Sequence, residues 1–143
     1  MLKISPLSEV TGLVKRMLRQ IELANGLTLI FHDATHRYFG DYHQVKLEIR
    51  CEVLLTRALF DDEASFEAAR RVLGGTVCYQ KIESHQGVAT AQIEAVVERL
   101  MDQFLKNTLG YLESDTFPRR LVQTELKRRA ARAHSFLGRT GHA

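Results

Sequence analysis

The chain has 143 residues, 45% of them hydrophobic and 26% charged, with a formal net charge of +3 and only two cysteines. This balance excludes a disordered chain and a secreted domain stapled by disulfides, and a chain of this length can bury a core of its own. No apolar run approaches the ~18 residues of a membrane span, and the first residues lack the apolar block of a signal peptide, so we expect a cytoplasmic protein with no membrane partner.

The first strong structural signal along the chain is a hairpin around Asn25-Gly26, since the segment from Ser8 to about Arg16 is only a weak helix candidate. Two alternating apolar runs flank the Asn-Gly pair, which is typical of a tight β-turn. A three-residue loop sets Ile21 opposite Leu29 and keeps the apolar side chains on one face of the hairpin. Gly26 is then predicted to adopt a positive φ in a bulged turn.

A third strand is predicted from Val45 to Leu55, where every second residue is apolar. The residues between them, as far as Val53, are charged: Lys46, Glu48, Arg50 and Glu52. This period of two indicates an antiparallel sheet with one buried face and one solvated face. We expect the two cysteines, Cys51 and Cys78, to be reduced thiols, with a disulfide between them as the alternative.

A helix and a fourth strand follow. Asp61-Asp62-Glu63 supplies a cap and an acidic first turn for the helix, and Gly74-Gly75 ends it. The sequence "TVCYQKIE", residues 76–83, is typical of a strand, and "SHQG", residues 84–87, is expected to form the turn after it.

Two further helices are predicted in the carboxyl-terminal third of the chain. Residues 90–112 carry apolar side chains at i, i+3 and i+4, which indicates a long amphipathic helix. A basic helix is expected from Pro118 to about His134, followed by a flexible tail over residues 136–143. The whole pattern predicts a single α+β domain over residues 1–143, with an antiparallel sheet of about four strands and helices covering one of its faces.

The stretch "FHDATHRYFGDYH", residues 31–43, suggests a ligand or metal site because it holds three of the six histidines. His32 and His36 have the spacing of two zinc ligands on a helix, but on a strand such residues lie ~13 Å apart. A site here requires the loop to fold back, which defines five candidates: His32, Asp33, His36, Asp41 and His43. In the alternative, this is a polar connection whose aromatic residues pack on the sheet edge or on a partner: Tyr38, Phe39 and Tyr42.

The second candidate site is the last helix, because from Phe117 onward the chain carries seven basic residues and one acid, Glu125, a balance of +6. This concentration of charge suits an anionic partner. The candidate anion-binding residues are Arg120, Lys127, Arg128 and Arg132. Cations late in a helix also favour its dipole, and the helix lacks aromatics for base stacking, so solvation alone is the competing interpretation.

No catalytic motif is present: the sequence has no G-x-S-x-G, no P-loop, no G-x-G-x-x-G and no C-x-x-C. We therefore expect a small non-catalytic binding or accessory protein without a cofactor, whose partner is a second copy of the chain or another protein. The two alternatives are an anion or nucleic-acid binder acting through the last helix and a metal-dependent hydrolase acting through residues 32–43.

Overall fold

The structure, a computed structural model, describes residues 16–140, and the side chains of residues 16–133. It contains five strands: β1 (Arg16–Glu22), β2 (Thr28–Asp33), β3 (His36–Phe39), β4 (Tyr42–Leu54) and β5 (Thr76–Ala89). It contains three α-helices: α1 (Glu63–Leu73), α2 (Ile93–Leu112) and α3 (Phe117–Thr140). The weak helix candidate before β1 lies outside the described residues, apart from Arg16, which begins β1.

All five strands form one antiparallel sheet around the long strand β4. The edge strand β1 pairs with β2, and β2 pairs with the second half of β4. The short strand β3 pairs with the start of β4 along the same side as β2, while β5 pairs with nearly the whole length of β4 on its other side. This antiparallel sheet with three helices confirms the predicted α+β class.

The hairpin between β1 and β2 has the predicted register. Ile21 lies opposite Leu29, and the backbone N–H of Leu23 donates to the carbonyl oxygen of Leu27 at 2.7 Å. Gly26 has a φ of +88°, a conformation that L-residues with a Cβ rarely adopt. The turn residue Asn25 also makes a tertiary contact that the sequence did not indicate. Its amide nitrogen donates to the carbonyl oxygens of Leu112 and Ser114 at 2.7 and 3.0 Å.

The strand β4 supplies the centre of the core, as its alternation predicted. Its apolar side chains are almost completely buried: Val45, Leu47, Ile49, Cys51 and Val53. The helices α2 and α3 lie on this face, where the ring of Phe104 from α2 meets Phe31 edge-on at 5.8 Å and Phe117 from α3 meets Tyr79 at 5.9 Å. The helix α1 adds Ala69 and Leu73 to the same core. One core therefore joins the sheet to the helices.

The first helix begins and ends as predicted. The Asp62 carboxylate accepts a hydrogen bond from the backbone N–H of Ser65 at 2.7 Å, and Gly74 ends the helix with a φ of +84°. This hydrogen bond lowers the pKa of Asp62, because a carboxylate that accepts an N–H favours its charged form. The predicted helix over residues 90–112 opens with a 3-10 turn, Thr90–Gln92, before α2 itself.

Three details of the sequence prediction were wrong. Residues 84–87 form part of β5 and not a turn, because β4 is long enough to pair with them and Gly87, at a φ of +69°, accommodates a bulge in the strand. Residues 34–42 do not form a plain loop, since they contain β3, which raises the sheet from four strands to five. Finally, α3 does not end near His134 but runs to Thr140, into the segment expected to be a tail.

The two cysteines are free and belong to opposite faces of the sheet. Cys51 points into the core, where burial, and then the nearby Cys78, raise its pKa to about 11. Cys78 is half-buried and its thiol donates to the carbonyl oxygen of Tyr79 at 3.3 Å. Among the described residues, no helix is long and apolar enough to span a membrane.

Candidate functional site

The five candidates of the histidine-rich stretch lie on three strands and a turn. His32 is on β2, on the face away from the helices, opposite Glu48 of β4. Asp33 ends the same strand, where it pairs with Arg16 at 3.4 Å and accepts the backbone N–H of Thr35 at 2.8 Å. The hydrogen bond from Thr35 forms an Asx-turn, so Asp33 stabilises the turn by which the chain leaves β2.

The other three candidates surround the turn between β3 and β4. His36 lies opposite Gln44, and Asp41 accepts a hydrogen bond from the hydroxyl of Thr90. His43 lies between β3 and β5, and its buried Nδ1 has no hydrogen-bond partner among the described residues. Within residues 16–133, no three histidine, cysteine, aspartate or glutamate side chains are arranged to hold a metal ion.

The aromatic residues of this hairpin are exposed. Phe39 keeps 73% of its accessible surface, and Tyr38 and Tyr42 keep about half of theirs. They therefore lie outside the core, and the protein covers about half of each tyrosine and less of Phe39. The hydroxyl of Tyr38 nevertheless lies close to Gly87 of β5, at 3.8 Å from where a Cβ would be.

A groove of about 670 Å³ lies at one end of the sheet, lined by polar and apolar side chains of β2 and β4 and by Pro118. Among the described residues that line the groove, Arg50 is the only arginine. Contact with Cys78 is the main cause that raises the pKa of Arg50, and the neighbouring Glu52 and Glu48 add to the effect. Since two carboxylates flank this cation, the groove has no net positive centre for an anion.

The last helix, α3, extends beyond the core. Up to residue 133, the last buried or half-buried residue of the helix is Leu126, and residues 127–133 are exposed on every side. An α-helix normally keeps an apolar stripe against the protein. This part of α3 has none among residues 127–133, so packing against the described core does not explain its presence.

Among the described side chains, the cations of α3 divide into two groups, which the sequence did not distinguish. Arg119 and Arg129 anchor the helix, because Arg119 contacts Asp61 at 3.4 Å and Arg129 donates to the carbonyl oxygen of Val72 at 2.9 Å. Their structural role depends on α1 and the segment before it, whose position no local pattern in the sequence reveals.

The second group is the basic face, which consists of the four predicted anion-binding residues: Arg120, Lys127, Arg128 and Arg132. All four are exposed and lie within about 140° of one another at 100° per residue. Arg128 pairs with Glu125 at 2.8 Å, whereas no ion pair joins the other three to any described residue. The structure therefore brings the predicted anion-binding residues together on the side of α3 that faces away from Val122 and Leu126.

The sequence matches no protein-family model, no curated protein and no solved structure. The function must therefore be argued from the geometry of the chain itself.

Proposed function

We propose that this protein is a small non-catalytic binding protein whose basic face contacts an acidic polypeptide partner. The observation that carries the proposal is that residues 127–133 of α3 are exposed on every side of the helix, although Arg129 holds this segment to the end of α1 by a hydrogen bond. These residues gain little from packing, which is the source of most helical stability in proteins. A partner that covers this segment supplies the packing that the core does not.

The charges on the segment favour an acidic partner. Lys127 and Arg132 are exposed and have no ion pair among the described residues, so neither charge is neutralised within residues 16–133. Such uncompensated charges steer encounters with a partner of opposite sign and select against partners of the same sign.

A polypeptide is favoured over nucleic acid by the residues between the cations. The exposed residues between Arg120 and Arg132 include Gln123 and Thr124 but no aromatic side chain. Aromatic side chains are the usual platforms for unpaired bases, and groove recognition adds several side chains that reach base edges. The basic face carries positive charge, but it has few side chains that could stack on bases or contact base edges.

The free cysteines support a place for this protein in the cytoplasm. Cys51 and Cys78 are both unpaired, which suits a compartment that keeps thiols reduced. The proposal includes this location.

The test is a titration of a fluorescently labelled polyglutamate peptide with the full chain, read by anisotropy at several salt concentrations. The native protein should bind the peptide, and its affinity should fall as salt rises because the contact is ionic. The double reversal Lys127→Glu/Arg132→Glu should weaken binding at least tenfold. Its control is Lys106→Glu/Arg99→Glu, which makes the same charge change at two exposed positions of α2 and should bind nearly as well as the native chain.

Three results would contradict the proposal: no binding of the peptide, equal losses in both variants, or a clear preference for duplex DNA. Tight, salt-steep binding of DNA that is lost with the basic face would identify the partner as nucleic acid instead. Equal losses would show that only the total charge matters and that this face has no special role.

A further inference from the structure

The free edge of β5 is a second interaction surface, separate from the basic face. This strand has 14 residues, and its pairing partner among the described strands is β4 alone. From Gln80 to Gly87 nearly every residue is exposed, and Ile82 keeps 46% of its accessible surface. An edge of this length presents unpaired backbone N–H and C=O groups, which another strand can satisfy.

We propose that β5 pairs antiparallel with β5 of a second copy of this chain, with Ile82 on the twofold axis. When two identical strands pair antiparallel in one sheet, the twofold axis that relates them is perpendicular to the sheet. Each side chain then lies on the same face of the sheet as the side chain of the residue opposite it. Two residues can therefore be opposite each other only if their side chains lie on the same face, because side chains alternate between the two faces along a strand. With Ile82 opposite Ile82, Lys81 lies opposite Glu83 of the second copy, and this pair occurs twice.

The charges of the strand select this register over its neighbours. A shift of the axis to Lys81 would set the two Lys81 side chains opposite each other, and a shift to Glu83 would do the same for two glutamates. Like charges directly opposite destabilise a strand pair, whereas opposite charges stabilise it. In the proposed register Gln80 also lies opposite Ser84, an amide beside a hydroxyl, so the polar neighbours of Ile82 are matched on both sides.

The bulge in β5 limits the pairing to the part of the strand that carries this pattern. Gly87, at a φ of +69°, and the register shift between His43 and Val45 mark the place where β5 departs from regular geometry. Bulges of this kind interrupt edge pairing. The regular part of β5 from Thr76 to His85 stays available to a second copy, and Ile82 lies within it.

Analytical ultracentrifugation of the full chain over a range of concentrations tests this interface. The native protein should show a monomer–dimer equilibrium. Lys81→Glu and Glu83→Lys should each weaken the dimer at least about tenfold, because each replaces two attractive pairs with two repulsive ones. The double variant Lys81→Glu/Glu83→Lys restores opposite charges across the interface and should dimerise like the native chain, while Lys106→Glu, an equal change on exposed α2, should have no effect.

Cross-linking gives a second readout that does not depend on charge. In a Cys78→Ser background, Ile82→Cys should form a covalent dimer under mild oxidation, because Cα atoms of directly opposite residues lie about 4.5–5.5 Å apart, within disulfide range. Leu54→Cys, at an exposed position of β4, should not. A native chain that stays monomeric at every concentration, a double charge swap that fails to dimerise, or cross-linking at Leu54→Cys equal to that at Ile82→Cys would each overturn the proposal.

Discussion

Replacing Gly26 with valine isolates the contribution of one backbone conformation to the stability of the fold. Gly26 has a φ of +88°, and an added Cβ would meet no atom within 4 Å. The substitution therefore creates no clash with the rest of the protein, and its whole cost is the strain of a β-branched residue at positive φ. Strain of this kind is on the order of 1–3 kcal/mol.

The effect is measurable as a change in melting temperature. For a chain of this size, 1 kcal/mol corresponds to about 4 °C, so Gly26→Val should melt roughly 4–12 °C below the native protein. Gly75→Val is the matched control, because an added Cβ at Gly75 also meets no atom within 4 Å and its φ is outside the positive range. Both variants lose the same flexibility in the unfolded chain, so their difference reports the φ strain alone.

Circular dichroism melts of the two variants, together with Gly26→Asn, provide the assay. Asparagine tolerates the left-handed region better than valine, so Gly26→Asn should fall between the native protein and Gly26→Val. Equal melting temperatures for Gly26→Val and Gly75→Val would show that the turn does not need positive φ, which would contradict the three-residue loop of the hairpin.

Three further predictions concern single side chains. Asn25→Ala should lower the free energy of unfolding by about 1–3 kcal/mol in urea denaturation, and Asn25→Asp by more, because a carboxylate would face two carbonyl oxygens; an Asn25→Asp variant as stable as the native chain would contradict this contact. At pH 8, which is below its pKa of about 11, Cys51 stays a thiol, so iodoacetamide should modify Cys78 first, and mass spectrometry that found Cys51 modified first would contradict that order. Purified protein should contain no stoichiometric transition metal by elemental analysis, whereas about one zinc per chain, lost in His32→Ala/His36→Ala, would revive the hydrolase alternative.

The sequence predicted those features that depend on neighbours along the chain. The Asn25-Gly26 turn, the alternation in β4 and the capped helix α1 each follow from a short pattern with one low-energy solution. The segment "SHQG" contains turn-forming residues, so the sequence alone predicts that β5 ends before it; only the length of β4 shows that strand pairing continues into this segment. Whether such a segment forms a turn or continues a strand depends on the strands available to pair with it. That depends on the tertiary structure, which a local sequence pattern does not reveal.

The candidate site shows the same division. The concentration of cations after Phe117 is visible in the sequence, and so is their spread around a helix. The sequence does not show which of these cations stabilise the fold. Arg119 and Arg129 differ from the others only by their contacts with Asp61 and Val72, which are distant along the chain. The sequence also did not show that residues 127–133 of α3 are exposed, since burial depends on where the core ends.

The most direct measurement of the central claim is the free energy of unfolding of Lys127→Glu/Arg132→Glu, determined beside its affinity for labelled polyglutamate. Both side chains are exposed and contact no described carboxylate, so the free energy of unfolding should stay within about 0.5 kcal/mol of the native value. The affinity should fall at least tenfold in the same preparation. A variant that loses stability, or one that keeps the native affinity, would show that this part of α3 serves the fold or the solvent and does not bind a partner.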